Sequence, residues 1–127
     1  MEEVLAHIEG HTVVPGDAVM FDIDDTLINS KTDKVIPHVK DLLDRCKQLG
    51  YKIVIITARS GDSYVQDLTE KQLAEHGIRY DFLGYCNAES KTYVKQHLMK
   101  TNSWHFVLSV GDLTTDLTDS DIYLLVQ

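Results

Sequence analysis

The composition of this 127-residue chain excludes several classes of protein. Hydrophobic residues make up 43% and charged residues 25% of the sequence, which is typical of a globular protein and argues against disorder; the length predicts one domain, residues 1–127. The formal net charge is -8 and no run of Lys or Arg occurs, which argues against a nucleic-acid or anionic-membrane binder with a broad basic surface.

The cysteines and the first residues indicate the compartment. Cys46 and Cys86 are too few and too isolated for a disulfide framework or a zinc site. The first eleven residues are acidic and lack an apolar core, so we expect no signal peptide, and no run has transmembrane length. The sequence therefore predicts a protein of a reducing compartment, the cytoplasm, with no membrane partner.

Short apolar runs predict five β-strands. The first, Ala18–Phe21, is apolar at every position, as a parallel strand covered on both faces requires. The later runs follow at regular intervals: Ile53–Ile56, Tyr80–Tyr85, Phe106–Val110 and Ile122–Val126.

Helical spacing occupies the stretches between these runs. Pro37 suits a first helical turn and Gly50 a helix end, and the apolar residues between them share one face. Helices are also predicted at Glu2–Glu9, about Asp62–His76 and about Ser90–Lys100. The apolar stripe of the Asp62 helix is less clean than the others. For the last helix, the predicted inward residues are Tyr93, Val94, His97 and Leu98.

The alternation of strand and helix predicts an α/β fold. Crossovers of this length favour βαβ units, hence a mostly parallel sheet with helices on both faces. In such open sheets, the ligand crevice lies beyond the carboxyl ends of the strands.

Polar side chains follow three of the predicted strands at this edge. Asp22 and Asp24 follow the first strand, Thr57 the second, and Asp112 and Asp116 the fourth. Clustered carboxylates repel one another unless a cation or a proton lies among them. An acidic pair after a strand is also a common turn or cap signal, so the first cluster alone does not decide between a site and a turn. The agreement of three strand ends favours a site.

The order and context of these residues resemble the haloacid dehalogenase-like superfamily, over about residues 21–116. The residues that carry the resemblance are Asp22-x-Asp24-x-Thr26, Thr57, Lys91 and Gly111-Asp112-x-x-x-Asp116. The resemblance implies a Rossmann-like three-layer sandwich with strand order 5-4-1-2-3. It also implies a Mg²⁺ cofactor and phosphoryl transfer through an aspartyl-phosphate.

The resemblance assigns roles to the acidic residues. Asp22 would be the nucleophile, since a carboxylate can form an acyl-phosphate, and Asp24 the general acid and base. The implied metal ligands are Asp22, the backbone carbonyl of Asp24, and Asp112, with Asp116 in an outer or water-mediated position. Asp25 is predicted to be a turn or cap residue.

A second group of residues would bind phosphate. Thr57 would donate its hydroxyl to a phosphoryl oxygen, helped by the backbone N–H groups that follow, including that of Ala58. A cation in the first turn of a helix is unfavourable, so Lys91 indicates a nearby anion, with Lys95 as the competing candidate. Arg59 has a donor fork suited to phosphate, but an exposed loop arginine is an equal interpretation.

Two features narrow the class within the superfamily. Asp24 stands where the ion-pumping ATPases carry threonine, and the metal-site aspartates are kept, unlike in dehalogenases. Both favour a phosphatase. The connections at 29–36 and 85–90 are too short for a cap domain, so the chain resembles small capless acid-phosphatase-like members and the polynucleotide 3'-phosphatases. An open site would admit a small phosphoester or the phosphorylated end of a macromolecule, and leaves room for a second copy of the chain as a lid.

The sequence thus predicts a Mg²⁺-dependent phosphomonoester hydrolase. One alternative is a polynucleotide 3'-phosphatase, with nucleic acid as substrate only, although the acidic charge counts against it. The alternative outside enzymes is an inactive phosphate- or protein-binding module on the same fold. A receiver domain is disfavoured because its phosphorylated aspartate follows the third strand, which here ends at Tyr85-Cys86.

Overall fold

A five-stranded parallel sheet forms the centre of the protein in a computed structural model that describes all 127 residues. The strands are β1 Asp17–Phe21, β2 Lys52–Thr57, β3 Phe82–Tyr85, β4 His105–Gly111 and β5 Ile122–Leu125. Their order across the sheet is β3-β2-β1-β4-β5, and all neighbouring strands are parallel. This is the predicted order 5-4-1-2-3 counted from the other edge, so the predicted Rossmann-like topology is confirmed.

Four α-helices connect and flank the strands. They are α1 Glu2–Gly10, α2 Pro37–Leu49, α3 Ser63–Glu75 and α4 Lys91–Asn102. The predicted end signals of α2 are confirmed: Pro37 is its first residue, and Gly50 follows it with a φ of 99°, a left-handed conformation that glycine adopts without a Cβ clash. Asp62 caps α3 by accepting a hydrogen bond from the Val65 N–H.

The strands are buried on both faces, as their apolar runs predict. Val19 and Phe21 of β1 pack in a large core under α1, α2 and α3, whereas Ala18 and Met20 point to a smaller core under α4. The alternation follows from the period of two in a strand. The resulting three layers, helices on both faces of the sheet, confirm the predicted architecture.

Two of the four residues that were predicted to face inward on α4 are exposed instead. Tyr93 is 71% exposed and His97 is also exposed, while Lys91 and Lys95 are buried together with Leu98. The reason is that Lys91 and Lys95 lie against acceptor oxygens, while Leu98 packs in the smaller apolar core. Lys95 Nζ donates to Ser109 Oγ at 3.0 Å and to the Asp116 carbonyl at 2.5 Å. A buried ammonium is tolerated because its donors are satisfied.

The carboxyl edge of the sheet carries no cap domain. Residues 22–36, between β1 and α2, hold only isolated bridges, and β3 is joined to α4 through the single 3₁₀ turn Ala88–Ser90. None of the helices combines the length and apolarity needed to span a bilayer.

Candidate active site

Asp22 lies directly beyond β1, in the interior of the carboxyl edge. Its backbone N–H donates to the Val110 carbonyl at 3.0 Å, which extends the pairing of β1 with β4, and the residue is 6% exposed. The chain then turns: the N–H groups of Thr26, Leu27 and Ile28 all donate to the Ile23 carbonyl. This turn is why Asp22 and Asp24, two residues apart, both reach the same edge.

Lys91 brings a cation to the Asp22 carboxylate. It is the first residue of α4, and its Nζ lies 2.8 Å from Asp22 Oδ1 and 2.6 Å from Asp116 Oδ1. Its side chain is 1% exposed. Lys95, the competing candidate, makes no contact with Asp22 and instead binds the loop that carries Asp116. The structure therefore places Lys91 in the cluster and Lys95 behind it.

Asp112 and Asp116 complete an acidic cluster with Asp22. One carboxylate oxygen from each of these three residues lies within 4.8 Å of the others. Asp116, predicted in an outer position, is fully buried and contacts Lys91 directly. Gly111 makes this approach possible, because a Cβ at that position would overlap the Asp116 carboxyl group.

Burial raises the proton affinity of the two inner carboxylates. It raises the pKa of Asp22 to about 6, and the charge of Lys91 offsets only part of this effect. Burial and the charge of Asp22 likewise raise the pKa of Asp116. Burial alone would lower the pKa of Lys91, but the charge of Asp22 and its bonds to both carboxylates outweigh burial and raise it. The cluster therefore contains more negative charge than its one ammonium neutralises.

The donor set suits a hard cation. Three carboxylates that converge from β1 and the loop after β4 are oxygen ligands of the kind that Mg²⁺, Ca²⁺ and Mn²⁺ prefer. Asp24 is different, because its carboxylate points away to Arg59. Only its backbone carbonyl remains as the predicted ligand.

The end of β2 forms the next part of the edge. Thr57 is fully buried, and its Oγ1 accepts the Arg59 N–H at 3.1 Å, which leaves the hydroxyl proton available to an acceptor. Ala58 is exposed. The structure thus places Thr57 and Ala58 at the predicted edge, and their contact with phosphate stays a prediction.

Arg59 forms a two-point ion pair with Asp24. Its Nε lies 3.0 Å from Asp24 Oδ2 and its Nη2 lies 2.8 Å from Asp24 Oδ1. The bond to Asp24 raises the pKa of the guanidinium. Arg59 is therefore committed to a neighbouring carboxylate, and its predicted contact with phosphate stays a prediction.

The sequence did not single out the α3 residues that hold Arg59. Its Nη1 donates to Thr69 Oγ1 at 3.2 Å and to Gln72 Oε1 at 2.7 Å. The only sequence signal was the less clean apolar stripe of α3, since polar residues replace apolar ones on its inner side. Asp25 is confirmed as a turn residue: it has a φ of 60° and accepts the Ser30 N–H at 3.0 Å.

Comparison with known proteins identifies the family and the fold. The family model described as haloacid dehalogenase-like hydrolase matches residues 19–110. The fold is similar to a chain of the Pnkp1/Rnl/Hen1 complex (TM-score 0.65, 22% identity, 80% of this chain and 41% of that one). A second structure, described as the Pnkp1/Rnl/Hen1 RNA repair complex, is similar to the same degree (TM-score 0.63, 22% identity, 80% of this chain and 38% of that one). It is also similar to the class C acid phosphatase from Bacillus anthracis (TM-score 0.72, 18% identity, 92% of this chain and 61% of that one). No curated protein sequence matches the chain.

Proposed function

The chain belongs to the haloacid dehalogenase-like hydrolase family, and from this premise we propose that it is a Mg²⁺-dependent phosphatase acting on phosphomonoesters. The observation that supports this best is the meeting of Asp22, Lys91, Asp112 and Asp116 in one cluster. These residues come from β1, α4 and the loop after β4. Asp22, Lys91 and Asp116 are buried, and Lys91 pairs with both carboxylates, which a chance set of surface charges would not do.

In the proposed reaction, Asp22 forms a covalent intermediate. Its carboxylate attacks phosphorus, the bond from phosphorus to the ester oxygen breaks, and an aspartyl-phosphate results. For this step Asp24 must carry a proton on one carboxyl oxygen, in place of one of its two bonds to Arg59; it gives that proton to the departing oxygen, which leaves as the free alcohol. Asp24 then accepts a proton from water as that water attacks the phosphorus, which releases phosphate and restores Asp22.

The surrounding residues would balance the charge of the transferred group. Lys91 lies against Asp22, and the Thr57 hydroxyl stands at the next strand end. Because phosphoryl transfer depends mainly on positioning and charge neutralisation, these two donors are the proposed phosphate-binding groups, together with the backbone that follows Thr57.

Asp22, the Asp24 carbonyl and Asp112 would hold Mg²⁺, with Asp116 at its outer side. When bound, the ion would neutralise charge on the phosphate and on the acidic cluster.

The proposed substrates follow from the open edge. The chain spans about two fifths of the RNA repair chain and three fifths of the acid phosphatase chain that it resembles. We propose that residues 1–127 form one domain whose open edge admits small phosphoesters or phosphorylated ends of macromolecules. A second copy of the chain could cover this edge as a lid.

The thiols of Cys46 and Cys86 are unpaired, which supports a reducing compartment such as the cytoplasm.

A polynucleotide 3'-phosphatase is the second candidate. It is supported by the similarity in fold to a chain of the Pnkp1/Rnl/Hen1 RNA repair complex. The net charge of -8 weighs against it, because binding to nucleic acid draws on Lys and Arg contacts to phosphates.

The test is phosphate release by the purified chain from an aryl phosphate, nucleoside monophosphates and a 3'-phosphorylated oligonucleotide, with Mg²⁺ or with EDTA. We expect Mg²⁺-dependent release that falls at least ~10³-fold in Asp22→Asn, in line with the loss of other enzyme nucleophiles. Asp41→Asn, at an exposed position on α2, is the matched control.

Three outcomes would decide against parts of the proposal. Full activity of Asp22→Asn would remove Asp22 as nucleophile. Release that is confined to the oligonucleotide would favour the 3'-phosphatase. No release from any substrate, in a folded chain, would favour a phosphate- or protein-binding module.

A further inference from the structure

The side chain of Gln72 on α3 uses both ends of its amide. Its Oε1 accepts from Arg59 Nη1 at 2.7 Å, and its Nε2 donates to Asp33 Oδ1. The orientation of the amide is set by chemistry, because a guanidinium only donates and a carboxylate only accepts. Gln72 therefore connects three segments: the loop after β1, the loop after β2, and α3.

Arg59 has little capacity left for a substrate. A guanidinium has five N–H donors, and protein acceptors take four of them: two at Asp24, one at Thr69 and one at Gln72. The paired bonds to Asp24 fix the plane of that carboxylate as well as its position. Arg59 thus acts on Asp24 rather than on a ligand.

Asp33 is held in place by its own loop. Its N–H donates to the Asn29 carbonyl at 2.9 Å, and the Asn29 N–H in turn donates to the Lys34 carbonyl at 2.8 Å. An antiparallel bridge between Ile28 and Val35 closes the base of the loop. The backbone of Asp33 is therefore held by its loop, and its carboxylate, although 72% exposed, accepts from the Gln72 amide on the side opposite to Arg59.

We propose that Gln72 is a positioning residue for the general acid Asp24, acting through Arg59, with Thr69 as a second support and Asp33 as its anchor. This inference rests on the proposed phosphatase function. Loss of Gln72 frees one donor of Arg59 and lets the guanidinium turn about Thr69. The Asp24 carboxyl then loses the fixed position and plane that its bonds to Arg59 give it.

The leaving group distinguishes this role from a merely structural one. An alkoxide needs a proton as it departs, whereas a nitrophenolate leaves without one, so only alkyl phosphates depend strongly on a well-placed acid. For Gln72→Ala, we expect kcat/KM to fall ~10- to 100-fold for an alkyl phosphate, a part of the ~10²–10⁴-fold that acid catalysis supplies. For p-nitrophenyl phosphate, we expect less than ~3-fold.

A swap of donor and acceptor tests the bridge itself. Gln72→Glu keeps an acceptor for Arg59 but places a carboxylate against Asp33, so we expect a loss for alkyl phosphates. Adding Asp33→Asn supplies an amide donor to Glu at position 72, which rebuilds the bridge in reverse. The double variant should recover most of the alkyl phosphate activity, and Gln72→Ala with Asp33→Asn should not.

The control is Gln48→Ala on α2. Gln48 also accepts a hydrogen bond from an arginine, Arg45 Nη1 at 3.4 Å, and has no contact with Arg59 or Asp24. We expect it to leave both substrates unaffected. Equal losses for both substrates in Gln72→Ala, or no loss beyond that of Gln48→Ala, would overturn the inference.

A second measurement does not depend on activity. The side-chain Nε–H resonance of Arg59 in ¹⁵N NMR reports its bond to Asp24. This resonance should shift and broaden in Gln72→Ala and keep its wild-type position and width in Gln48→Ala. In the double variant Gln72→Glu with Asp33→Asn, it should return to its wild-type position. If the wild-type chain releases no phosphate, the proposed function fails and this resonance alone decides whether Gln72 holds Arg59 on Asp24; an unchanged resonance in Gln72→Ala contradicts the inference.

Discussion

Two groups of charged side chains share the carboxyl edge of the sheet and differ in burial. The buried cluster consists of Asp22, Lys91 and Asp116 together with the half-buried Asp112. The rim network consists of Asp24, Arg59, Thr69, Gln72 and Asp33. In the cluster, the Lys91 side chain is 1% and the Asp116 side chain 0% exposed. In the network, the Arg59 side chain is 19% and the Asp24 side chain 43% exposed.

The difference in burial predicts different roles for the two groups. In the buried cluster, three carboxylates face one ammonium, so charge imbalance in a low-dielectric setting dominates its energetics. In the rim network, one carboxylate pairs with one guanidinium near water, where an ion pair contributes little to stability. We therefore expect the cluster to govern stability and its response to pH and metal. The rim network should fix the orientation of the Asp24 carboxylate and contribute little to stability.

The largest expected effect on stability is at Lys91. Lys91→Met removes the cation between two buried carboxylates, and breaking such a pair costs about 3–5 kcal/mol because the remaining charges are unpaired. Urea unfolding of the metal-free protein measures this loss. Lys100→Met, in the exposed last turn of α4, is the control and should change little. A loss below about 1 kcal/mol in Lys91→Met would show that the cluster does not govern stability.

The pH dependence of stability is a second test of the buried cluster. The pKa of Asp22 is raised from 3.8 to about 6, so the folded protein binds more protons than the unfolded chain in that window. This contribution to stability is complete below pH 3.8 and is lost as the pH rises through about 6, by on the order of 3 kcal/mol. The difference in unfolding free energy between wild type and Asp22→Asn, measured without metal from pH 4 to 7, should show this slope. A difference that does not vary with pH would refute it.

Addition of metal tests the same excess of negative charge. A ligand that binds only the folded state stabilises it by about 2.7 kcal/mol at one hundred times its dissociation constant. Thermal unfolding should therefore shift to higher temperature with Mg²⁺, and EDTA should reverse the shift. The shift should be absent in Asp112→Asn and present in Asp41→Asn. An equal shift in Asp112→Asn would place the bound ion elsewhere.

The smallest effect on stability is expected at the rim. Arg59→Lys keeps the charge but loses the planar fork, so the unfolding free energy should change by less than about 1 kcal/mol. Activity toward an alkyl phosphate should nevertheless fall ~10-fold or more, because a lysine cannot fix the plane of the Asp24 carboxylate. A stability loss as large as that of Lys91→Met would remove the distinction between the two groups.

The sequence by itself determined the parallel sheet and the edge that carries the site. Apolar runs mark strands buried on both faces, and the carboxyl ends of parallel strands necessarily meet at one edge. Asp22, Thr57 and Asp112 could therefore be placed together from their positions after three strands. The strand order came from the resemblance to the family, and that resemblance depends on the order of these residues along the chain.

Only the tertiary structure decided which side chains pair. Lys95 and Lys91 are one turn apart on α4, and the burial of both depends on acceptors that the folded loop after β4 presents. The same holds for Gln72, an ordinary helix residue whose partners lie 13 and 39 positions away in the chain. Apolar periodicity is local and can be read from the sequence, whereas polar pairing depends on distances between segments that only the folded chain fixes.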